Sequence, residues 1–99
     1  MKTSPIQAAG MAWYLPEDFE QIKALMTDGH TLHRTYAEWQ RAAEQGEQRL
    51  RANGVRVYRA ILRPAEFKAW CEARSLDIDS HARQAFANWF AANEYREGR

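Results

Sequence analysis

Hydrophobic positions recur at helical spacing in four stretches of the chain. In the first, "PEDFEQIKALMTDG", Pro16 and the two acidic residues after it suit a helix start, and Asp28 followed by glycine suits a stop. One face of this segment is apolar and is formed by Phe19, Ile22, Leu25 and Met26. The pattern predicts a helix between these two signals.

The second helical stretch is the clearest. Thr35 with Glu38 three residues later fits a capping box, and Asn53 followed by glycine fits a helix end. The residues that share its stripe are Tyr36, Trp39, Ala43, Gly46 and Leu50. A glycine inside a helix costs about 1 kcal/mol relative to alanine, so Gly46 predicts that another element approaches closely on this face.

Two further helices are predicted in the second half. "PAEFKAWCEARS" begins at Pro64 and carries Phe67, Trp70 and Cys71 on one side. "DSHARQAFANWFAANEY" has Asp79 as its N-cap and Ile78 before it as a staple residue. The inner stripe of this last helix is Ala82, Ala85, Phe86, Trp89 and Asn93, widened by Phe90. The stripes predict a core centred on four rings: Trp39, Trp70, Phe86 and Trp89.

A strand is predicted in "VRVYRAIL", residues 55–62, because Val55, Val57 and Ile61 alternate with other residues. The alternation is imperfect, since Arg59 falls on the same face. A strand needs a partner, and "MAWYL", residues 11–15, is the only good candidate in the chain. The predicted class is α+β and mostly helical, with four helices and one or two short strands.

The chain has 99 residues, enough for one domain with a modest core. Four Trp, four Tyr and four Phe are spread along it, which argues against disorder outside the ends. We expect a flexible N-terminal lead over residues 1–10, a single globular domain over 11–95, and a flexible C-terminus over 96–99.

Composition narrows the functional classes. The net charge of +1 does not by itself imply a polyanion partner. The single cysteine excludes an internal disulfide and indicates a reducing compartment. No apolar run approaches the ~20 residues of a membrane span, and the N-terminal apolar segment is too short and broken for a signal peptide. We therefore expect a cytoplasmic protein that does not contact a membrane.

The histidines and the cysteine are the candidate metal ligands. His30 and His33 stand three residues apart, and only His81 and Cys71 could complete a four-ligand zinc site. Cys71 lies on the apolar side of its helix, and H-x-x-H is not the metalloprotease motif. We expect no bound metal and no cofactor. Catalysis is also not favoured, because no phosphate loop, dinucleotide fingerprint or nucleophile motif is present and Cys71-His81 has no evident third group.

A basic stretch is the sharpest signal for a ligand. "RLRANGVRVYRAILR" holds five arginines and no acidic residue. The candidate contacts to an anion or a partner are Arg49, Arg51, Arg56, Tyr58, Arg59 and Arg63. Arginine among aromatic rings occurs on RNA-binding surfaces. A plainer interpretation needs no ligand. Arg49 and Arg51 interact favourably with the negative end of a helix dipole, and Arg56 and Arg59 protect an exposed strand edge from aggregation.

The chain also resembles a group of small bacterial proteins of unassigned function. The resemblance lies in "WYLPEDFEQI", "TYAEW", the "NGV" before the strand and "FKAWCEARSLDIDSHARQAFAN". The resemblance covers nearly the whole chain from Met11. Its most specific part is the F-x-x-W-C-x-x-R run from Phe67 to Arg74. The resemblance implies a stand-alone bacterial cytosolic domain and implies no activity.

Three functions remain open at this point. The first is a small non-enzymatic interaction or regulatory protein, and the second an anion or nucleic-acid binder that uses residues 49–63. The third, less favoured, is a small enzyme or metal-binding protein. We also expect a protein partner or a homodimer that buries the 55–62 strand or the aromatic surface beside it, although Arg56 and Arg59 could instead keep that edge solitary.

Overall fold

The computed structural model describes residues 7–98. In chain order these form β1 (Gln7–Trp13), α1 (Phe19–Leu25), a single 3-10 turn (Gly29–Thr31), α2 (Tyr36–Ala52), β2 (Val55–Ile61), α3 (Pro64–Ala73) and α4 (Ser80–Arg96). The class is α+β and mostly helical, with four α-helices and two strands among the described residues, which confirms the prediction.

The two strands pair in parallel, with Gln7 opposite Val55 and Trp13 opposite Ile61. Parallel neighbours require a long crossover, and α1, the 3-10 turn and α2 supply it. β1 begins at Gln7 rather than Met11, so residues 7–10 belong to the sheet and not to the expected N-terminal lead. Residues 1–6 of that lead, and residue 99, lie outside the described residues. At the other end, α4 extends one residue past the predicted domain boundary at 95.

The local signals for helix ends are largely confirmed. The Thr35 hydroxyl accepts a hydrogen bond of 3.1 Å from the Glu38 amide, and the Asp79 carboxylate accepts one of 2.9 Å from the Ala82 amide. α3 begins at Pro64 as predicted. The first helix is shorter than predicted, because the Asp18 amide donates to the carbonyl of Leu15 and closes a turn before α1 starts.

The sheet lies between two helices. Gly10 faces α4 so closely that a Cβ at this position would lie 2.0 Å from the carbonyl oxygen of Ala87. On the opposite face, the rings of Trp13 in β1 and Trp39 in α2 pack edge to face, with their centroids 5.2 Å apart. The prediction that Gly46 marks a close approach is wrong, since a Cβ there would meet only the Met11 methyl at 3.8 Å, an ordinary contact. The close approach occurs at Gly10.

The core contains most, but not all, of the predicted rings. Trp39 and Phe86 are buried and Trp70 is partly buried, whereas Trp89 is 44% exposed. The inclusion of Trp89 is therefore wrong. The buried positions of α4 are Ala82, Phe86, Ala87 and Ala91, because small side chains are needed where the helix lies against β1. This rotates the large ring of Trp89 to the flank, where it contacts Trp70 at 6.0 Å.

Candidate functional site

Two of the candidate arginines surround a buried carboxylate. Glu47 in α2 is only 6% exposed, and it accepts two hydrogen bonds of 2.7 Å from Nε and Nη2 of Arg59 in β2. A third guanidinium nitrogen, from Arg51, lies 3.4 Å away. The hydrogen bonds from Arg59 hold the pKa of Glu47 below its ordinary value. Arg59 and Arg51 thus compensate a charge inside the protein.

The other members of the basic stretch are dispersed. Arg63 donates a hydrogen bond of 2.5 Å to Asp18, which is also buried. Arg56 stacks over Tyr58 at 5.7 Å, and it lies on the opposite face of the sheet from Arg59 because strand side chains alternate. Arg49 is exposed in the last turn of α2. Within residues 7–98, Arg49 and Arg56 form no salt bridge. The structure brings Arg51 and Arg59 together at Glu47 and Arg56 together with Tyr58, whereas Arg63 pairs with Asp18 and Arg49 forms no salt bridge with a described residue.

The candidate metal ligands are also apart. His30, His33 and His81 are exposed, whereas Cys71 is fully buried, and burial raises the pKa of its thiol. The described part of the chain holds no group of three or more His, Cys, Asp or Glu side chains placed to hold a metal ion.

A cleft of about 340 Å³ runs along the side of β1 that faces away from β2. Its lining comes from four places: β1 and the residue after it (Gly10, Met11, Ala12, Tyr14), the segment around the 3-10 turn (Thr31, Leu32, His33), α2 (Trp39, Ala42, Ala43) and the start of α4 (Arg83, Gln84). Because α2 and α4 cover opposite faces of the sheet, a cleft that touches both helices must open at the strand edge.

Unpaired backbone groups line this edge. The Leu62 amide donates to the Trp13 carbonyl at 2.9 Å, so Trp13 and every second residue before it turn toward β2. By the same alternation, the amides and carbonyls of Gly10, Ala12 and Tyr14 turn outward. No described residue hydrogen-bonds these groups of Gly10 and Ala12. The Tyr14 carbonyl, in contrast, accepts a bond of 3.0 Å from the Tyr36 hydroxyl.

A polar cluster lies at the Tyr14 end of the cleft. Nη1 of Arg83 donates to the Tyr14 hydroxyl at 3.2 Å. Nearby, Oδ2 of Asp28 accepts from the hydroxyl of Ser80 at 2.6 Å and from its amide at 3.1 Å, and the hydroxyl bond holds the pKa of Asp28 below its ordinary value. Burial raises the pKa of the Tyr14 phenol. The cluster therefore keeps the Asp28 carboxyl ionised and the Tyr14 phenol uncharged at neutral pH.

Sequence reasoning missed this site, because only two signals in the chain point to it. The run "AAGMA", residues 8–12, contains four residues with small side chains, whereas the two residues after it are Trp13 and Tyr14. The small side chains leave space beside this part of the strand. Arg83 lies at the end of the first turn of α4, where the helix dipole disfavours a cation. A cation in that position indicates a role other than helix stabilisation.

Comparisons of this chain with models of protein families, with curated proteins and with solved structures found no match. Within residues 7–98, each helix is too short or too polar to serve as a membrane span. A functional proposal therefore has to come from the geometry of the chain.

Proposed function

We propose that this protein is a small non-enzymatic interaction protein that binds an extended peptide segment along the outer edge of β1. The observation that carries the proposal is the unpaired strand edge: the outward amides and carbonyls of Gly10, which is buried, and of Ala12, which is half-buried, lie in a cleft between α2 and α4 and have no hydrogen-bond partner among the described residues. Exposed strand edges are sites where another chain adds a strand through backbone hydrogen bonds. The lone cysteine and the resemblance described above support a bacterial cytosolic setting.

The cleft would favour an extended peptide with apolar side chains toward α2 and polar side chains toward α4. An added strand has side chains on both faces of the sheet, and both faces at this edge are flanked by helices. On the α2 side the peptide would meet Trp39 and Ala43, and on the α4 side it would meet Gln84. The small side chains of Gly10 and Ala12 allow its backbone to come close to β1.

The arginine stretch gives less support to an anion or nucleic-acid binder. Arg51 and Arg59 share the buried carboxylate of Glu47, and Arg63 holds that of Asp18. Releasing Arg59 or Arg63 to a phosphate would leave a buried acid without its closest partner, which is costly, and releasing Arg51 would remove the second cation from Glu47. Arg49 and Arg56 remain, and two separated cations make a weak electrostatic footprint.

A second copy of the chain, bound edge to edge as a homodimer, is a less favourable occupant of a strand edge than a peptide. The outer edge of β2 is partly covered, because Nη2 of Arg51 lies 3.5 Å from the Val57 carbonyl. At the edge of β1, a second copy would have to bring its own α2 and α4 against those already flanking the cleft. A single extended segment needs only the space of one strand.

A peptide selection tests the proposal. The probe is a bead library of random dodecapeptides attached through their N-termini, so that each ends in a free carboxylate. Hydrogen exchange of the unmodified protein is then measured with and without each selected peptide. We expect the amides of Gly10 and Ala12 to become protected, because they would donate to the peptide. A selection whose peptides leave both amides unprotected overturns the proposal.

Two proline variants locate the binding edge. Ala12→Pro removes one outward donor without breaking the pairing with β2, and Val55→Pro removes an outward donor at the opposite edge of the sheet. We expect Ala12→Pro to weaken binding by about tenfold, the cost of one net hydrogen bond and its geometry, and Val55→Pro to leave it unchanged. Equal effects at the two edges would contradict binding at β1. Circular dichroism confirms that each variant is folded, and the exchange measurement above needs neither variant.

A further inference from the structure

Hydrogen-bond donors without acceptors collect at the Tyr14 end of the cleft. Arg83 uses only Nη1 within the described chain, so its Nε and Nη2 have no acceptor there. The Tyr14 amide also has no described acceptor, although Tyr14 is only 1% exposed and an unpaired buried amide is costly. The donors of Arg83 and of the Tyr14 amide, one of them charged, fit an anion with two oxygens, such as a carboxylate.

The neighbouring acid does not fill this role. The pKa of Asp28 is lowered chiefly by the hydrogen bond from Ser80 and to a smaller extent by the nearby Arg83, yet Asp28 and Arg83 form no salt bridge. Its Oδ2 atom is held by Ser80, and its Oδ1 atom has no hydrogen-bond partner among the described residues. Asp28 therefore leaves Nε and Nη2 of Arg83 available as donors.

The end of the strand edge indicates that the carboxylate belongs to a chain terminus. The Tyr36 hydroxyl already donates to the Tyr14 carbonyl, so a ligand amide placed there would be a second donor to the same oxygen. In an antiparallel pair, one ligand residue would need both the amide and the carbonyl of Tyr14. In a parallel pair, the ligand would accept from the Tyr14 amide and donate to the Tyr14 carbonyl two residues later. A parallel peptide whose last residue lies at this point accepts a hydrogen bond from the Tyr14 amide through its terminal carboxylate. It has no residue two positions later, so no ligand amide has to donate to the Tyr14 carbonyl.

From this geometry, and resting on the proposed function, we infer that the cleft binds the free C-terminus of an extended peptide that runs parallel to β1. Its terminal carboxylate accepts hydrogen bonds from the Tyr14 amide and from Nε and Nη2 of Arg83. The residues before the terminus pair with the outward groups of Ala12 and Gly10. The ligand class is therefore a protein or peptide with an accessible C-terminal segment that can lie extended along β1.

Acid and amide forms of the same peptide test the inference. Each selected dodecapeptide is synthesised with a free C-terminus and with a C-terminal amide, and both are titrated into the wild-type protein. We expect the amide to bind at least about tenfold more weakly, because it has lost the charge-assisted bonds to Arg83. Equal binding of the two forms overturns the inference, and if the amides of Gly10 and Ala12 are still protected the proposed function stands.

Variants of Arg83 show whether this residue binds the C-terminal carboxylate of the peptide. In Arg83→Gln the preference for the acid should fall to less than about twofold, and Arg83→Lys should retain part of it as a point charge. Arg49→Gln, which removes an exposed arginine far along the chain, is the matched control and should keep the full preference. A full preference in Arg83→Gln overturns the inference. A selection that yields no peptide protecting Gly10 and Ala12 overturns both proposals, and the comparison of acid with amide in the wild-type protein does not depend on any variant folding.

Discussion

Arg59 and Glu47 join β2 to α2 through two parallel hydrogen bonds of 2.7 Å. The guanidinium carbon also lies 3.8 Å from the centre of the Trp13 ring, so Arg59 is held between a carboxylate and an indole. This explains why an arginine interrupts the alternating apolar face of β2. Arg59 faces α2, where the carboxylate of Glu47 is almost fully buried.

We expect Glu47→Gln to destabilise the protein by about 2 kcal/mol. Removing one partner of a fully buried pair costs roughly 3–5 kcal/mol, and the loss is smaller here because the Arg59 side chain is 44% exposed. Urea denaturation at neutral pH measures the change. The control is Glu72→Gln, which removes the exposed pair with Lys68 and should cost less than about 0.5 kcal/mol. Similar losses in the two variants would mean that the buried pair has no special weight.

Acid should reduce the stability that Glu47 provides. The pKa of Glu47 is lowered in the folded protein from an ordinary value of 4.5, so the unfolded chain binds the proton first as the pH falls. The contribution is complete above the ordinary pKa and disappears as the pH passes below the lowered one. The difference in unfolding free energy between wild type and Glu47→Gln should therefore shrink under acid. A difference that stays constant from neutral pH to below pH ~3 would contradict this assignment.

Two glycine-to-alanine substitutions should have opposite signs. At Gly10 the new methyl group would lie 2.0 Å from the backbone oxygen of Ala87, so α4 would have to move away from the sheet. We expect a loss of about 3 kcal/mol or more. At Gly46 the methyl group meets only the flexible end of Met11, and alanine favours the helix by up to about 1 kcal/mol. Thermal unfolding compares the two variants, and a stable Gly10→Ala protein would show that β1 and α4 are not in close contact.

Truncating two tryptophans should separate core from surface. Trp39 is 7% exposed and its ring lies near those of Trp13, Tyr14 and Tyr36, so Trp39→Ala should cost about 3–5 kcal/mol. Trp89 is 44% exposed, and Trp89→Ala should cost roughly 1–2 kcal/mol, since less area leaves contact with protein. Chemical denaturation gives both values. A larger loss at Trp89 than at Trp39 would reverse the assignment of the core.

Hydrogen exchange of the free protein should alternate along β1. The amides of Met11 and Trp13 point to β2 and should exchange slowly, whereas those of Gly10 and Ala12 point into the cleft and should exchange faster. Nuclear magnetic resonance resolves the four amides individually. Uniform protection along β1 would mean that another element already covers this edge.

Features that depend on a few neighbouring residues are predictable from the chain alone. Thr35 caps α2 and Asp79 caps α4 through bonds to amides three residues later, and Pro64 starts α3. β2 was predicted from its own alternating valines, and the class followed from counting such elements. These features are predictable because the interacting groups are held close together by the chain itself.

Contacts between residues that are far apart in the sequence depend on how the elements pack in three dimensions. The pairing of β1 with β2, the meeting of Arg63 with Asp18 and the exposure of Trp89 all depend on how α2 and α4 pack on the sheet. The cleft is of the same kind, since Arg83 reaches Tyr14 across 69 positions. No periodicity encodes such contacts, because many packings satisfy the same apolar stripes and side-chain volumes choose among them. The absence of a Cβ at Gly10 is one such choice: it lets α4 lie on β1, and the two helices then flank an edge that is left open.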